Sequence, residues 1–166
     1  MRWFSAESDE MDDAGWDRAL ADYAKHVAAI ASRLPRDLAR LATDTSIGLH
    51  DGHIEEIVVE RGSREVLLVV ARDDVHIILE FQDATIVSDD LQRLAYAVGA
   101  QFQSDHWGEA TTQIFAQEID ISDNGRFVLR IRLWPFHQFA IEFGDVHLRT
   151  APGEDKGNPG RLVLRE

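Results

Sequence analysis

A chain of 166 residues with 45% hydrophobic side chains is long enough to bury a sizeable core and too apolar to be wholly disordered. Its formal charge of −13, from 30 acidic against 17 basic residues, argues against general binding to nucleic acid or to an anionic membrane, both of which need clustered Lys and Arg. The lack of Cys excludes disulfides, thiolate metal sites and a cysteine nucleophile.

No run approaches the roughly 20 apolar residues that span a bilayer. The start, MRWFSAESDEMDD, lacks the basic and then apolar regions of a secretory signal. A cytoplasmic protein of one domain over residues 1–166 is therefore expected. Acidity of this degree favours solubility and could also steer the chain toward a basic partner.

Residues 8–44 read as helical. Trp16, Leu20, Tyr23, Val27, Ile30 and Leu34 recur at spacings of three and four, which is one buried helical stripe. Pro35 ends it and can open a second, shorter helix carrying Leu38 and Leu41. Residues 49–87 form a first strand unit. Ile54–Glu60 is β-branched and stops at Arg61-Gly62-Ser63; Glu65–Ala71 is a nearly unbroken apolar run suited to a strand covered on both faces; Val75–Phe81 alternates. Ser88-Asp89-Asp90 offers N-cap chemistry for a helix over 88–102, and Gln103–Gly108 reads as loop.

A second strand unit spans 112–149. The apolar parity of Thr112–Ile121 changes midway, which predicts a bulge. Asp123-Asn124-Gly125 is a hairpin turn, with Asn-Gly fitting a type I′ geometry. In Arg126–Trp134 the residues Phe127, Leu129, Ile131 and Leu133 face a core while Arg126, Arg130 and Arg132 face water. Pro135-Phe136 turns the chain into His137–Phe143, and 150–166 is a Gly/Pro-rich tail that can add an edge strand.

Laid over one another without a gap, Arg64–Ile86 and Arg126–Leu148 match at Arg64, Val66, Leu67, Glu80, Phe81 and Asp83, which fall on Arg126, Val128, Leu129, Glu142, Phe143 and Asp145. Two copies of a hairpin unit explain this, as does the alternation that all hairpins share. The fold class expected is α+β: an antiparallel sheet of about six strands with the N-terminal helices and one central helix packed on one face.

The densest chemical cluster is His50-Asp51-Gly52-His53, followed by Glu55 and Glu56. Imidazole and carboxylate suit zinc or a similar cation, and a turn at Gly52 could bring His50, Asp51 and His53 together, with a further ligand from His76, His106, His137 or His147. The competing role is structural, with His50 and Asp51 hydrogen-bonding the start of a strand. No GxSxG elbow, P-loop or GxGxxG fingerprint is present, and no cofactor is expected.

Glu80 and Glu142 could be paired carboxylates or solvated strand residues, Glu142 then facing Arg130 or Arg132 across the sheet. Trp107, Trp134 and Phe136 are aromatic residues at loops or strand ends, where they either bind a partner or plug the sheet. Arg130 and Arg132 could hold an acidic partner.

The stretch Leu49-His50-Asp51-Gly52-His53-Ile54, with the later Glu80-Phe81-Gln82-Asp83, resembles a loose group of small bacterial domains of unknown function that open on LHD-x-x-(Ile/Leu). Some of these are thought to be immunity proteins of polymorphic toxin systems. The resemblance covers about a third of the chain and brings no catalytic residues with it. It implies a non-enzymatic protein that masks a basic, nuclease-like partner. The alternatives are a small-ligand- or metal-binding protein or hydrolase using the His50-Asp51-Gly52-His53 turn, and a homo-oligomer joined at sheet edges.

Overall fold

The computed structural model describes residues 2–4, 12–88, 90–100, 113–133, 137–153 and 160–166. The expected sites at His106, Trp107, Trp134 and Phe136 lie outside them. The described residues form three α-helices and nine strands: α1 (Asp13–Ile30), α2 (Arg36–Thr43), β1 (His53–Glu60), β2 (Glu65–Arg72), β3 (Val75–Gln82), β4 (Thr85–Val87), α3 (Leu91–Ala100), β5 (Ile114–Ile121), β6 (Phe127–Leu133), β7 (His137–Phe143), β8 (Asp145–Pro152) and β9 (Arg161–Arg165).

The helix signals act as their chemistry predicts. Asp12 caps α1 by accepting from the Gly15 N–H at 2.8 Å, and Asp90 caps α3 through Gln92 and Arg93. The first helix closes in a 3₁₀ turn at Ala31–Arg33, and Leu34 is extended, as a residue before proline prefers to be. Its expected stripe is buried only at the C-terminal end: Val27 and Ile30 are in the core, whereas Leu20 is 44% exposed.

The α+β class holds, but one sheet of about six strands is replaced by two. One has the order β8-β3-β2-β1-β9 and the other β4-β7-β6-β5. All pairs are antiparallel except β1 with β9, which is parallel. Ile57, Leu68 and Leu79 of the first sheet and Leu129, Ile131 and Ile141 of the second belong to a single hydrophobic core. The helices are not laid on one face. The apolar residues of α2 and α3, Leu38 with Leu41 and Leu94 with Val98, enter that same core, α2 beside β8 and α3 beside β7 and β9, while α1 lies against β5.

Both sheets depend on two chain segments that change sheet. β3 pairs with β8 from Val75↔Pro152 to Gln82↔Asp145, and β4 pairs with β7 from Thr85↔Glu142 to Val87↔Ala140. These are two stretches of one antiparallel register, broken at Asp83-Ala84 and at Gly144. There the chain bends out of one sheet and into the other, the way strands turn corners between packed sheets. The bend is fixed by the Gly144 N–H donating to the Gln82 carbonyl at 3.0 Å, the Ala84 N–H donating to Arg64, and the Phe81 and Phe143 rings packed edge to face at 4.8 Å. Asp83 adopts a φ of 48° at the corner, and its carboxylate holds Arg64 and Arg126. The hydrogen bond from Arg126 keeps that carboxyl below its ordinary range.

The two halves correspond strand for strand: α2-β1-β2-β3-β4 and α3-β5-β6-β7-β8, each giving its last strand to the other's sheet. Each also has a bulge near the start of its first strand, between Ile54 and Glu56 and between Ile114 and Ala116. The gapless overlay fits β3 on β7 but not β2 on β6. Val66 lies opposite Phe81, whereas Val128 lies opposite Glu142 rather than Phe143. The cause is loop length: two residues join β2 to β3 and three join β6 to β7, so β6 is displaced by one position and its faces exchange.

Three local expectations are corrected. Asn124 does not take a positive φ; the Gly125 N–H donates to the Ser122 carbonyl and only Gly125, at φ 81°, is left-handed, so the hairpin has a three-residue loop with a bulge. Arg132 does not face water, being 4% exposed. Glu142 pairs with Arg126 rather than with Arg130 or Arg132.

If the sheet change at Phe81 and Phe143 carries the fold, Phe81→Ala and Phe143→Ala each lower stability by about 3–5 kcal/mol in urea titrations. The double variant should show a coupling of roughly 0.5–1.5 kcal/mol, and additive losses would show that the ring contact contributes nothing of its own.

Candidate functional site

The His50-Asp51 turn is a joint between the two halves. Gly52 N–H donates to the Leu49 carbonyl at 3.0 Å, closing a β-turn in which Asp51 takes a φ of 63°. Asp51 N–H then donates to the Ile114 carbonyl and Ile114 N–H to the Gly52 carbonyl, both at 2.9 Å, tying the start of β1 to the start of β5. Nδ1 of His50 meets the Phe115 carbonyl at 2.6 Å, and Leu49 N–H donates to Gln117.

Gly52 is buried, and the packing around it leaves no room for a side chain: a Cβ there would lie 2.5 Å from Val70 and 2.9 Å from the Leu49 carbonyl. His50 Nε2 is 3.5 Å from Asp51, and His53 faces Gln113. Among the described residues no three His, Asp or Glu side chains converge as a metal-ion group. The arrangement supports a strand-anchoring role for this motif. Gly52→Ala is expected to cost about 1–3 kcal/mol through overpacking, and His50→Ala under about 1.5 kcal/mol, by urea denaturation. Equal losses would remove the steric account.

A second polar cluster was not legible as a unit. Glu118 is fully buried on β5, and its carboxylate accepts from three successive main-chain N–H groups, of Arg2, Trp3 and Phe4, at 2.8–3.1 Å. Such a run of N–H groups makes an anion cradle, here filled by the chain's own carboxylate. Arg132 donates to the Phe4 carbonyl and its guanidinium lies over the Phe115 ring, and Arg130 pairs with Asp120 at 3.1 Å. The arginines expected to meet a partner are thus engaged internally, Arg132 beneath the N-terminal segment and Arg130 with Asp120.

Tyr23 of α1 accepts from the Ile119 N–H at 2.7 Å, so the helix satisfies a donor of the β5 edge. Burial pushes its phenol up from 10.0 to about 12. The folded state therefore favours the neutral phenol. That contribution to stability is whole below pH 10 and is lost between pH 10 and about 12, at no more than about 1.4 kcal/mol per pH unit. The stability difference between wild type and Tyr23→Phe should accordingly narrow as urea titrations move from pH 9 to pH 11.5. A constant difference would exclude the shift.

Among the described residues, a broad surface with a distinct chemistry is the outer face of the five-stranded sheet. The described helices pack chiefly on β5, β7, β8 and β9 and not on the outer side of β1, β2 and β3, where Val58 and Ile78 are buried and Leu67 and Val69 half-buried. Register lines up Val163, Val58, Leu67, Glu80 and His147 across the five strands, and beside them Arg161, Glu56, Val69, Ile78 and Arg149. The β2 run expected to be covered on both faces is fully covered on one, where Val66, Leu68 and Val70 are buried, and partly on the other, where Ala71 is buried and Leu67 and Val69 are half-buried.

A cleft of about 300 Å³ lies on this face, with Val58 and Leu67 at its floor and Glu56, Glu60, Glu65, Glu80 and Arg165 around it. Glu60 and Glu65 are directly opposite across β1 and β2, a like-charge pairing that costs stability in a sheet. Arg165 answers Glu60 at 2.8 Å and the Ser63 hydroxyl donates to Glu65 at 3.0 Å; among the described residues Glu65 has no ion-pair partner. Glu56 pairs with Arg161 at 2.7 Å, and Glu80 with Arg149 at 3.0 Å. The sequence signal for the cleft was the like parity of Glu56, Val58 and Glu60, which reads as one strand face once the bulge is placed before it.

No family model matches the chain, and no curated protein matches it. Among the described residues no helix is long and apolar enough to cross a membrane.

Proposed function

We propose that this chain is a non-enzymatic protein-binding module of the immunity type, which holds a basic partner protein on the outer face of its five-stranded sheet. The observation that carries this reading is the combination on one face of an aliphatic floor, Val58 and Leu67, with four carboxylates around it, of which Glu56, Glu60 and Glu80 pair with the exposed Arg161, Arg165 and Arg149 and Glu65 has no ion-pair partner among the described residues. An apolar centre within a charged rim is the usual anatomy of a protein interface, and an acidic rim selects a basic partner and speeds its encounter. The formal charge of −13 acts in the same direction over longer range. The LHDGHI stretch adds its resemblance to domains of which some are thought to be immunity proteins, and contributes rigidity rather than contact chemistry.

The test is affinity capture from a lysate of the source organism, using wild type and Leu67→Arg side by side. The variant places a cation on the apolar floor without touching the core. Wild type should retain one basic protein in stoichiometric amount, and the variant at least tenfold less. An acidic partner, equal retention by both proteins, or no retained protein overturns the reading.

A further inference from the structure

Three of the four carboxylates around the cleft are occupied by the chain's own guanidinium groups. Arg161 and Arg165 reach Glu56 and Glu60 from β9, and Arg149 reaches Glu80 from β8. In each case a single oxygen, Oε1, takes the arginine. The Oε2 atoms of these three carboxylates have no partner among the described residues, although a carboxylate can take a guanidinium through both oxygens at once.

The three arginine side chains are 61, 70 and 59% exposed for Arg149, Arg161 and Arg165. Exposed pairs of this kind are worth about 0–1 kcal/mol each. A guanidinium delivered on a folded partner binds by a planar fork and has less freedom left to lose. The internal pairs are therefore the weaker competitors.

Resting on the partner reading above, we propose that the cleft recognises arginine side chains of its partner at Glu56 and Glu60, and that Arg161 and Arg165 are internal stand-ins which those arginines displace. Glu56 and Glu60 lie four residues apart on β1, about 13 Å at the usual rise of a strand. Between them Leu67, half-buried on β2 opposite Val58, offers an apolar contact, so the fitting segment carries two arginines flanking an aliphatic or aromatic side chain. Displacement of Arg165 also leaves Glu60 beside Glu65 with no described cation of its own, which increases the pull on an incoming one. Lysine lacks the fork and should bind less well at the same charge.

The probe is a rhodamine-labelled hexa-arginine peptide, with hexa-lysine for comparison, titrated by fluorescence anisotropy at low and at physiological salt. Arg161→Gln/Arg165→Gln should bind hexa-arginine at least fivefold more tightly than wild type, and more tightly than it binds hexa-lysine. Arg33→Gln/Arg93→Gln makes the same change in net charge on helical segments away from the cleft and should change affinity less than twofold. Glu56→Gln/Glu60→Gln should abolish the preference for arginine. Hydrogen exchange at the Leu162–Leu164 amides verifies that β9 stays paired in the β9 variant; if it does not, Arg161→Lys/Arg165→Lys, which keeps the charge without the fork, should show an intermediate gain.

Equal affinities for the β9 variant and the distant variant would overturn the stand-in role while leaving the acidic cleft as a binding face. Hexa-arginine binding that ignores Glu56→Gln/Glu60→Gln in every background would overturn the partner reading itself.

Discussion

The antiparallel register that runs from β3 with β8 into β4 with β7 is the constraint on which the rest of the molecule depends. One bent pair of segments supplies an edge strand to each sheet, so neither sheet is complete without the other. Loss of the bend at Asp83-Ala84 or at Gly144 would leave both β4 and β8 without a partner. The Phe81–Phe143 contact and the two arginines on Asp83 sit at this point, and the core forms around it. The main-chain bonds of Gly52 and Asp51 with Ile114 provide a second junction, between the starts of β1 and β5.

Two packed sheets leave edges, and unpaired edges invite association with other chains. Here they are met locally: Tyr23 of α1 accepts from the Ile119 N–H of β5, Asp37 of α2 accepts from the Leu148 N–H of β8 at 2.9 Å, and β4 is only three residues long. Each device lies in a different helix or strand, which is why the helices stand at the margins of the sheets and not on one face. The apolar stripe of α1 is accordingly short, and Leu20 is left exposed where the helix has less to pack against.

Much of the local structure was legible. Turn residues bounded β1, β2 and β3, proline separated α1 from α2, and the parity break in β5 announced a bulge. The strand count was not, because alternation records which side chains share a face and is silent about a bend that carries a strand into another sheet. The internal repeat was visible at Glu80, Phe81 and Asp83 against Glu142, Phe143 and Asp145, yet misleading at Val66 and Leu67. One extra loop residue after β6 turns those positions to the opposite face.

Arg132 of β6 reads as part of a solvated face because its covering comes from Phe4, more than a hundred residues away. The outer face of the other sheet was missed for the converse reason. An apolar run of six residues, 66–71, looks the same whether its second face is covered or open, and only its neighbours decide.

The two halves are alike in topology, and they differ in what meets the edge of the first strand of each. In one half the β5 edge receives α1, and the N-terminal segment closes over Glu118 and Arg132. In the other the corresponding edge, on β1, receives β9, a single strand that lengthens the sheet without covering its outer face. A covering segment would have buried Glu56, Glu60 and Glu80 and required each to be paired, since an unpaired buried carboxylate costs several kcal/mol. A strand alone leaves them half in water, where weak exchangeable pairs with Arg161 and Arg165 are sufficient. Opposite solutions to the same edge problem thus separate a half whose carboxylate is closed under main-chain N–H groups from one whose carboxylates stay at the surface, paired with exposed arginines.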